Sequence, residues 1–216
     1  MNEIETQKDF WDQEVESFDA IYSHKKSRFA NFLDHTLRWD MYERYRYTLE
    51  NSEPIAGSTF LDVGCGSGRY ALEFARKDAE KVTGIDISRN MIQICKLRAQ
   101  KEGFVATTRF LQTDLLDYGT NEKTDVTIGI GLFDYIKDPL PVLTKMREVT
   151  KSKVIATFPR AGTWRVPLRK IRLSLKGCPV YFYTRRKLYK LLRQAGFKKC
   201  KLSKIGQLYC VTAFPD

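Results

Sequence analysis

A chain of 216 residues, 43% hydrophobic and 12% aromatic, has enough apolar content to close a core, which excludes a disordered or low-complexity polymer. It contains no run of about 18 apolar residues, which excludes a membrane-spanning helix. The net charge of +11 is uneven: 17 Lys and Arg and no acidic residue lie between Glu148 and Asp216, against 20 basic and 25 acidic residues up to Glu148. This asymmetry turns the last third of the chain toward an anionic partner.

The first twenty residues, MNEIETQKDFWDQEVESFDA, are acidic and lack a continuous apolar core, so they do not read as a secretory signal. Residues 1–56 read as a helical cap: Phe29, Phe32, Leu33, Leu37, Met41 and Tyr45 recur at the three- and four-residue spacing of one helix face. Asn51, Ser52, Glu53 and Pro54 then break the helix. From 57 to 216 strands and helices alternate. Strands are predicted over 59–63, 81–85, 105–112, 125–131 and 154–158, with helices over 67–77, from the Ser88 cap to about 101, and around Leu140, Leu143 and Met146. A basic insertion follows over 159–183, then a helix over 184–195 ended by Gly196, and two strands over 198–203 and 208–214 close enough to form a hairpin. This order predicts an α/β, doubly wound sheet, mostly parallel, with helices on both faces. The five cysteines (Cys65, Cys95, Cys178, Cys200 and Cys210) are odd in number and make no C-x-x-C pair, so reduced thiols and a cytoplasmic location are expected, without a zinc site. No cluster of carboxylate or His/Cys ligands implies any other metal.

The chemistry concentrates in FLDVGCGSGRY, where Gly64, Gly66 and Gly68 follow the first strand. Such a turn lets backbone approach a nucleotide closely, and Asp86, 20 residues past Gly66 at the end of the second strand, can accept from ribose hydroxyls. Both features suit NAD as well. The G-x-G-x-G spacing suits it less, because Arg69 and Tyr70 stand where a further dinucleotide glycine would follow. A pyrophosphate needs amide groups at a helix N-terminus, whereas a sulfonium nucleoside needs carboxylates. Asp62 before the turn and Asp114 after the third strand supply them.

LDVGCGSG, GIDIS, QTDLLD and DVTIGIGLFDYI together resemble the class I S-adenosylmethionine-dependent methyltransferases over residues 59–158. The resemblance implies a Rossmann-like domain over 57–216 whose seven-stranded sheet ends on an antiparallel last strand, with an N-terminal helical extension and a helical insertion after strand five. It implies S-adenosylmethionine as cofactor. Gly64 through Gly68, with Cys65, Ser67 and the preceding Asp62, would meet the methionyl part. Asp86, flanked by Ile87 and Met91, would bind ribose, and Asp114, flanked by Thr113 and Leu115, would meet adenine. Ile130 and Gly131 would border the cofactor from strand four, and Tyr22 is similar to the aromatic that related enzymes fold over it.

For the acceptor, Asp134 and Tyr135 after strand four are the candidate catalytic contacts. In TWRVPLRKIRLSLK, Trp164, Leu168, Ile171 and Leu175 form one stripe, and Arg165, Arg169, Arg172 and Lys176 form a second. Trp164, Arg165 and Arg169 of this basic amphipathic helix are candidate substrate contacts. The layout is similar to the magnesium-protoporphyrin O-methyltransferase branch, whose acceptor carries carboxylates. That layout does not assign the substrate; the basic insertion and the basic last third are what make a small anionic acceptor the expectation. Nucleic acid or a membrane surface, reached through the basic third, stays open, as does an NAD-dependent oxidoreductase or a non-catalytic nucleotide-binding module.

Overall fold

The computed structural model describes residues 30–120, 122–163 and 179–215. Helix α1 (Ala30–Ser52) leads into β1 (Thr59–Val63), α2 (Arg69–Arg76), β2 (Lys81–Asp86) and α3 (Arg89–Glu102). Then follow β3 (Thr108–Gln112), β4 (Thr124–Gly129), α4 (Pro139–Glu148) and β5 (Thr150–Pro159). The chain ends with α5 (Arg185–Gln194), β6 (Lys199–Ile205) and β7 (Leu208–Phe214). The amphipathic helix expected over 163–176 lies outside the described residues.

The seven strands form one sheet in the order β3-β2-β1-β4-β5-β7-β6. Strands β1 to β5 pair in parallel, and β7 is antiparallel to both β5 and β6. The strand period of two sorts side chains onto two faces. Leu61, Val63, Ile85, Val154 and Phe158 point to one core with Leu143 and Met146 of α4 and Leu188 and Leu192 of α5. Phe60, Val82, Ile128 and Ile155 point to the other, against Ala71 and Phe74 of α2, Ile92 and Cys95 of α3, and Tyr45 and Tyr47 of α1. Stacked rings fix both cores: Phe60 on Phe74 at 4.1 Å, and Phe133 on Phe158 at 4.5 Å with Tyr183 edge-on to Phe158 at 5.1 Å. Each fully buried ring contributes roughly 1.5–3 kcal/mol by burial alone.

Caps place the helices where the sequence put them. Ser88 accepts from the Met91 N–H at 3.2 Å, Asp138 from Leu140 at 3.2 Å and Thr184 from Lys187 at 3.2 Å. Gly196 ends the last described helix with φ of 91°. Boundaries shift where local bonding outweighs apolarity. Strand β3 begins at Thr108 instead of 105, because Thr107 and Thr108 both donate back to the Phe104 carbonyl and hold the preceding residues in a turn, with Val105 exposed. Strand β5 starts four residues earlier than expected: the buried Thr150 hydroxyl bonds to Thr127 Oγ1 at 2.6 Å, so a segment that reads as a Lys-Ser-Lys loop continues the ladder.

Helix α1 runs antiparallel to β5 and packs on β5, β6 and β7. Midway along it, Asp40 meets the β6–β7 turn, accepting from the Gln207 N–H at 3.4 Å. Further along, the Tyr47 hydroxyl bonds Thr212 Oγ1 at 2.9 Å, and the Lys153 ammonium donates to the Glu53 carbonyl at 2.7 Å beyond its end. It therefore joins the C-terminal edge of the parallel strands to the opposite edge.

Candidate active site

The register of β1, β2, β3 and β4 brings four chain exits to one edge: Val63 pairs with Ile85, Asp86 with Gln112, and Asp62 with Ile128. Open α/β sheets bind ligands at this edge. All three glycines of the first exit have positive φ, 68° at Gly64, 52° at Gly66 and 81° at Gly68, which a side chain would strain. Space is also short. A Cβ at Gly68 would stand 3.0 Å from Cys95 Sγ, and one at Gly64 would stand 3.1 Å from Leu132 Cδ1.

The turn is held from behind. Gly64 and Cys65 donate to the Ile85 carbonyl at 2.8 and 3.0 Å, and the Cys95 thiol donates to the Gly66 carbonyl at 3.0 Å. Arg98 Nη1 reaches the Ser67 carbonyl at 3.1 Å. Asp86 accepts from Gly66 N–H through Oδ2 and from Ser88 N–H through Oδ1, each at 2.9 Å. It thus organises the turn as well as facing the edge. Thr113 donates its N–H to the Asp86 carbonyl at 3.0 Å, which seats the β3 exit beside it, and Gln112 Nε2 reaches the Ile87 carbonyl at 3.2 Å. Asp114 turns one oxygen onto the Leu116 N–H at 2.7 Å.

Asp62 is 2% exposed, and its Oδ2 has no hydrogen-bond partner among the described residues. Burial first, and the neighbouring Asp86 charge second, push its carboxyl up to about 7, against a lowering bond from the Ala71 backbone. A buried acid poised this way is a receptor for positive charge.

Sequence reasoning and geometry agree in placing Asp62, Gly64 through Gly68, Asp86, Thr113 and Asp114 at this edge. Ile87, Ile130 and Gly131 border it half-buried, while Met91 and Leu115 are buried at 2% and 4% exposure as its packing floor. Asp134 is buried and its carbonyl accepts from Tyr181 N–H at 2.8 Å; Tyr135 is half-buried, donating its N–H to Leu132. Tyr22, Trp164, Arg165 and Arg169 lie outside the described residues.

Leu132, within the expected border segment 131–135, covers Gly64. Several neighbours escaped the sequence reading. Buried Thr157 accepts from the Gly131 N–H at 2.8 Å through its hydroxyl and sets the β4 exit. Tyr183 donates to the Phe133 carbonyl at 3.2 Å, and burial together with the Asp134 charge raises its phenol. Arg44 of α1 reaches within 3.5 Å of where a Gly131 Cβ would stand. Arg160, one residue past β5, donates to the Gly206 carbonyl and lies 5.5 Å from the centre of the Tyr209 ring. Neither arginine belongs to a recognisable motif; only the fold carries them to the edge.

The match to a family model described as "Methyltransferase domain" covers residues 55–196. Among curated proteins, the chain is 30% identical over 125 residues to a demethylmenaquinone methyltransferase of Porphyromonas gingivalis, covering 56% of this chain and 51% of that one. It is 31% identical over 110 residues to a ubiquinone biosynthesis O-methyltransferase of Vibrio campbellii, covering 50% and 46%. The chain thus spans about half the length of the curated relatives it matches. Among solved structures, magnesium protoporphyrin IX methyltransferase from Synechocystis PCC 6803 with bound SAH superposes with a TM-score of 0.76 at 18% identity, over 99% of each chain. That likeness shows the shared fold, and the family match over most of the described sheet carries the assignment: this chain belongs to the methyltransferase-domain family.

Proposed function

We propose that the chain transfers the methyl group of S-adenosylmethionine to a small, anionic acceptor. The observation that carries this reading is the division of charge along the strand edge. Two carboxylates, Asp62 and Asp86, stand at the exits of β1 and β2, and two guanidinium groups, Arg44 and Arg160, stand toward β4, β5 and the β6–β7 turn.

The first half fits the cosubstrate. The glycine turn brings backbone without side chains to the edge, Asp86 stands at the β2 exit to meet ribose hydroxyls, and the buried Asp62 oxygen lacks a partner among the described residues that a cationic ligand would supply. When bound, S-adenosylmethionine brings an electrophilic methyl group on a sulfonium. The protein's part is alignment along the line of displacement and a suitable field. Asp134, buried beside Tyr183, is the group that takes a proton from an acceptor hydroxyl, and Tyr135 orients the acceptor. The expected roles of Tyr22 toward the cosubstrate, and of Trp164, Arg165 and Arg169 toward the acceptor, belong to this reading and fall on residues outside those described.

The curated relatives named for menaquinone and ubiquinone steps, and the structural neighbour named for magnesium protoporphyrin IX, support a small-molecule acceptor. Transfer of labelled methyl from S-adenosylmethionine into acidic metabolites or lipid extracts tests the reading. Tight binding of NADH without binding of S-adenosylhomocysteine would refute it. A second reading, membrane or nucleic-acid engagement, draws on the exposed cations Arg185, Arg186, Lys187, Lys190 and Arg193 of α5 with Lys199, Lys201 and Lys204 of β6. Steep loss of polyanion or vesicle binding with salt, removed by charge reversal on α5, would favour it.

A further inference from the structure

Arg160 leaves β5 held through its backbone and Nη1, and its Nε has no hydrogen-bond partner among the described residues. Its backbone N–H donates to the Gln207 carbonyl at 2.9 Å, and the next residue, Ala161, donates to the Tyr183 carbonyl at 2.8 Å. On the side chain, Nη1 is engaged by the Gly206 carbonyl and the Tyr209 ring lies 5.5 Å away. The turn that supplies both contacts is itself pinned. Asp40 accepts from Gln207 N–H, and its carboxylate lies so close to Gly206 that any side chain there would overlap it.

Arg160 Nε is shielded from water and has no hydrogen-bond partner among the described residues; Gln207 Oε1 is in the same condition. Native proteins leave few buried polar atoms in that state, since each costs about 1–3 kcal/mol, more when charged. The Arg160 Nε–H is a donor that an oxyanion would complete, whereas Gln207 Oε1 is an acceptor that needs a donor. With Nη1 occupied, the guanidinium offers its Nε–Nη2 edge, whose two parallel N–H groups match the two oxygens of a carboxylate.

We infer that this edge of Arg160 seats a carboxylate of the methyl acceptor. The inference rests on the methyltransferase reading and names the acceptor group it requires. Position separates this seat from the cosubstrate: β4 lies between β1, which carries the glycine turn, and β5, which carries Arg160. Tyr183 bridges the two sides, pairing with Arg160 in a backbone bridge and donating to the Phe133 carbonyl next to Asp134. A molecule anchored at Arg160 therefore faces the β4 exit, where Asp134 stands.

The test titrates protein saturated with S-adenosylhomocysteine with two acids and their neutral partners: protoporphyrin IX against its dimethyl ester, and benzoate against benzamide. At least one acid should outbind its partner by roughly tenfold. Arg160→Gln should weaken that acid by on the order of 10–100-fold, with Arg160→Lys recovering only part, because an ammonium lacks the fork. Equal affinity of each acid and its partner, binding of neither acid, or acid binding by Arg160→Gln at the wild-type level would overturn the proposal. The comparison of acid with neutral partner in the wild type decides it even if a variant misfolds. Failure of the wild type to bind S-adenosylhomocysteine would refute the methyltransferase reading instead.

Discussion

Asp62 gives the sharpest test of how the edge recognises its cosubstrate. Its carboxyl is raised from 3.8 to about 7, by burial first and by Asp86 second. A shift of about three units corresponds to about 4 kcal/mol against the charged form. The folded value lies above the unfolded one. The contribution of Asp62 to stability is therefore complete below about pH 4 and is lost as the pH rises through 7. Asp62→Asn cannot ionise, so without ligand it should match the wild type below about pH 4 and exceed it increasingly from there to about pH 7 and above. The ceiling is about 4 kcal/mol, or several degrees in Tm for a chain of this size. Binding should show the opposite preference. A cation seated against Asp62 needs the ionised form, so wild-type affinity for S-adenosylmethionine should rise about tenfold per pH unit from about 5.5 to 7. Calorimetric titrations across that window, with thermal melts of the free protein, measure both. Parallel pH profiles for the wild type and Asp62→Asn would show that Asp62 neither bears the strain nor meets the cation.

Other perturbations probe the frame around it. Asp86→Ala removes the acceptor for Gly66 and Ser88 N–H groups and should weaken S-adenosylhomocysteine binding by on the order of 1–3 kcal/mol; unchanged calorimetric affinity would take Asp86 out of the site. Gly84→Ala sets a methyl 2.7 and 2.8 Å from the Phe110 ring, an overpacked contact expected to lower unfolding free energy in urea by about 1–3 kcal/mol. Thr157→Val deprives Gly131 of its hydroxyl partner and should cost about 1–3 kcal/mol. Because Gly131 lies at the β4 exit, turnover should fall more than S-adenosylhomocysteine affinity does.

Much of the sheet could be read from sequence because its determinants are local. Residues 59–63 alternate inward and outward across two cores, Ser88 and Thr184 carry their caps within three residues, and Gly196 stops a helix by its own conformation. The cosubstrate half of the site was legible for the same reason: a glycine turn and the strand-end acids are short motifs. What failed depended on pairing at a distance in one strand and on a tight local turn in another. Thr150 joins β5 through Thr127, 23 positions away, and Val105 stays out of β3 because Phe104 takes the following amides. The acceptor half was the least legible. Arg44, Arg160 and Gln207 are separated by 116 and 47 positions, and only the antiparallel return of β7 beside β5 brings them to one edge.

That topology also explains why the two halves carry opposite charge. The β1–β2 exits need carboxylates because glycine turns supply no charge of their own, and burial makes each carboxylate costly unless a cation answers it. The antiparallel return delivers a different kind of backbone. The β6–β7 turn presents the Gly206 carbonyl to the Arg160 guanidinium and the Gln207 carbonyl to its backbone N–H, so the turn's acceptor dipoles hold Arg160 in place. A fixed guanidinium beside a nucleoside pocket repels a cationic cosubstrate and favours an oxyanion, while Asp62 and Asp86 do the reverse. Under the proposed function, each ligand would be steered to its own side of β4 before any contact specific to its shape is made.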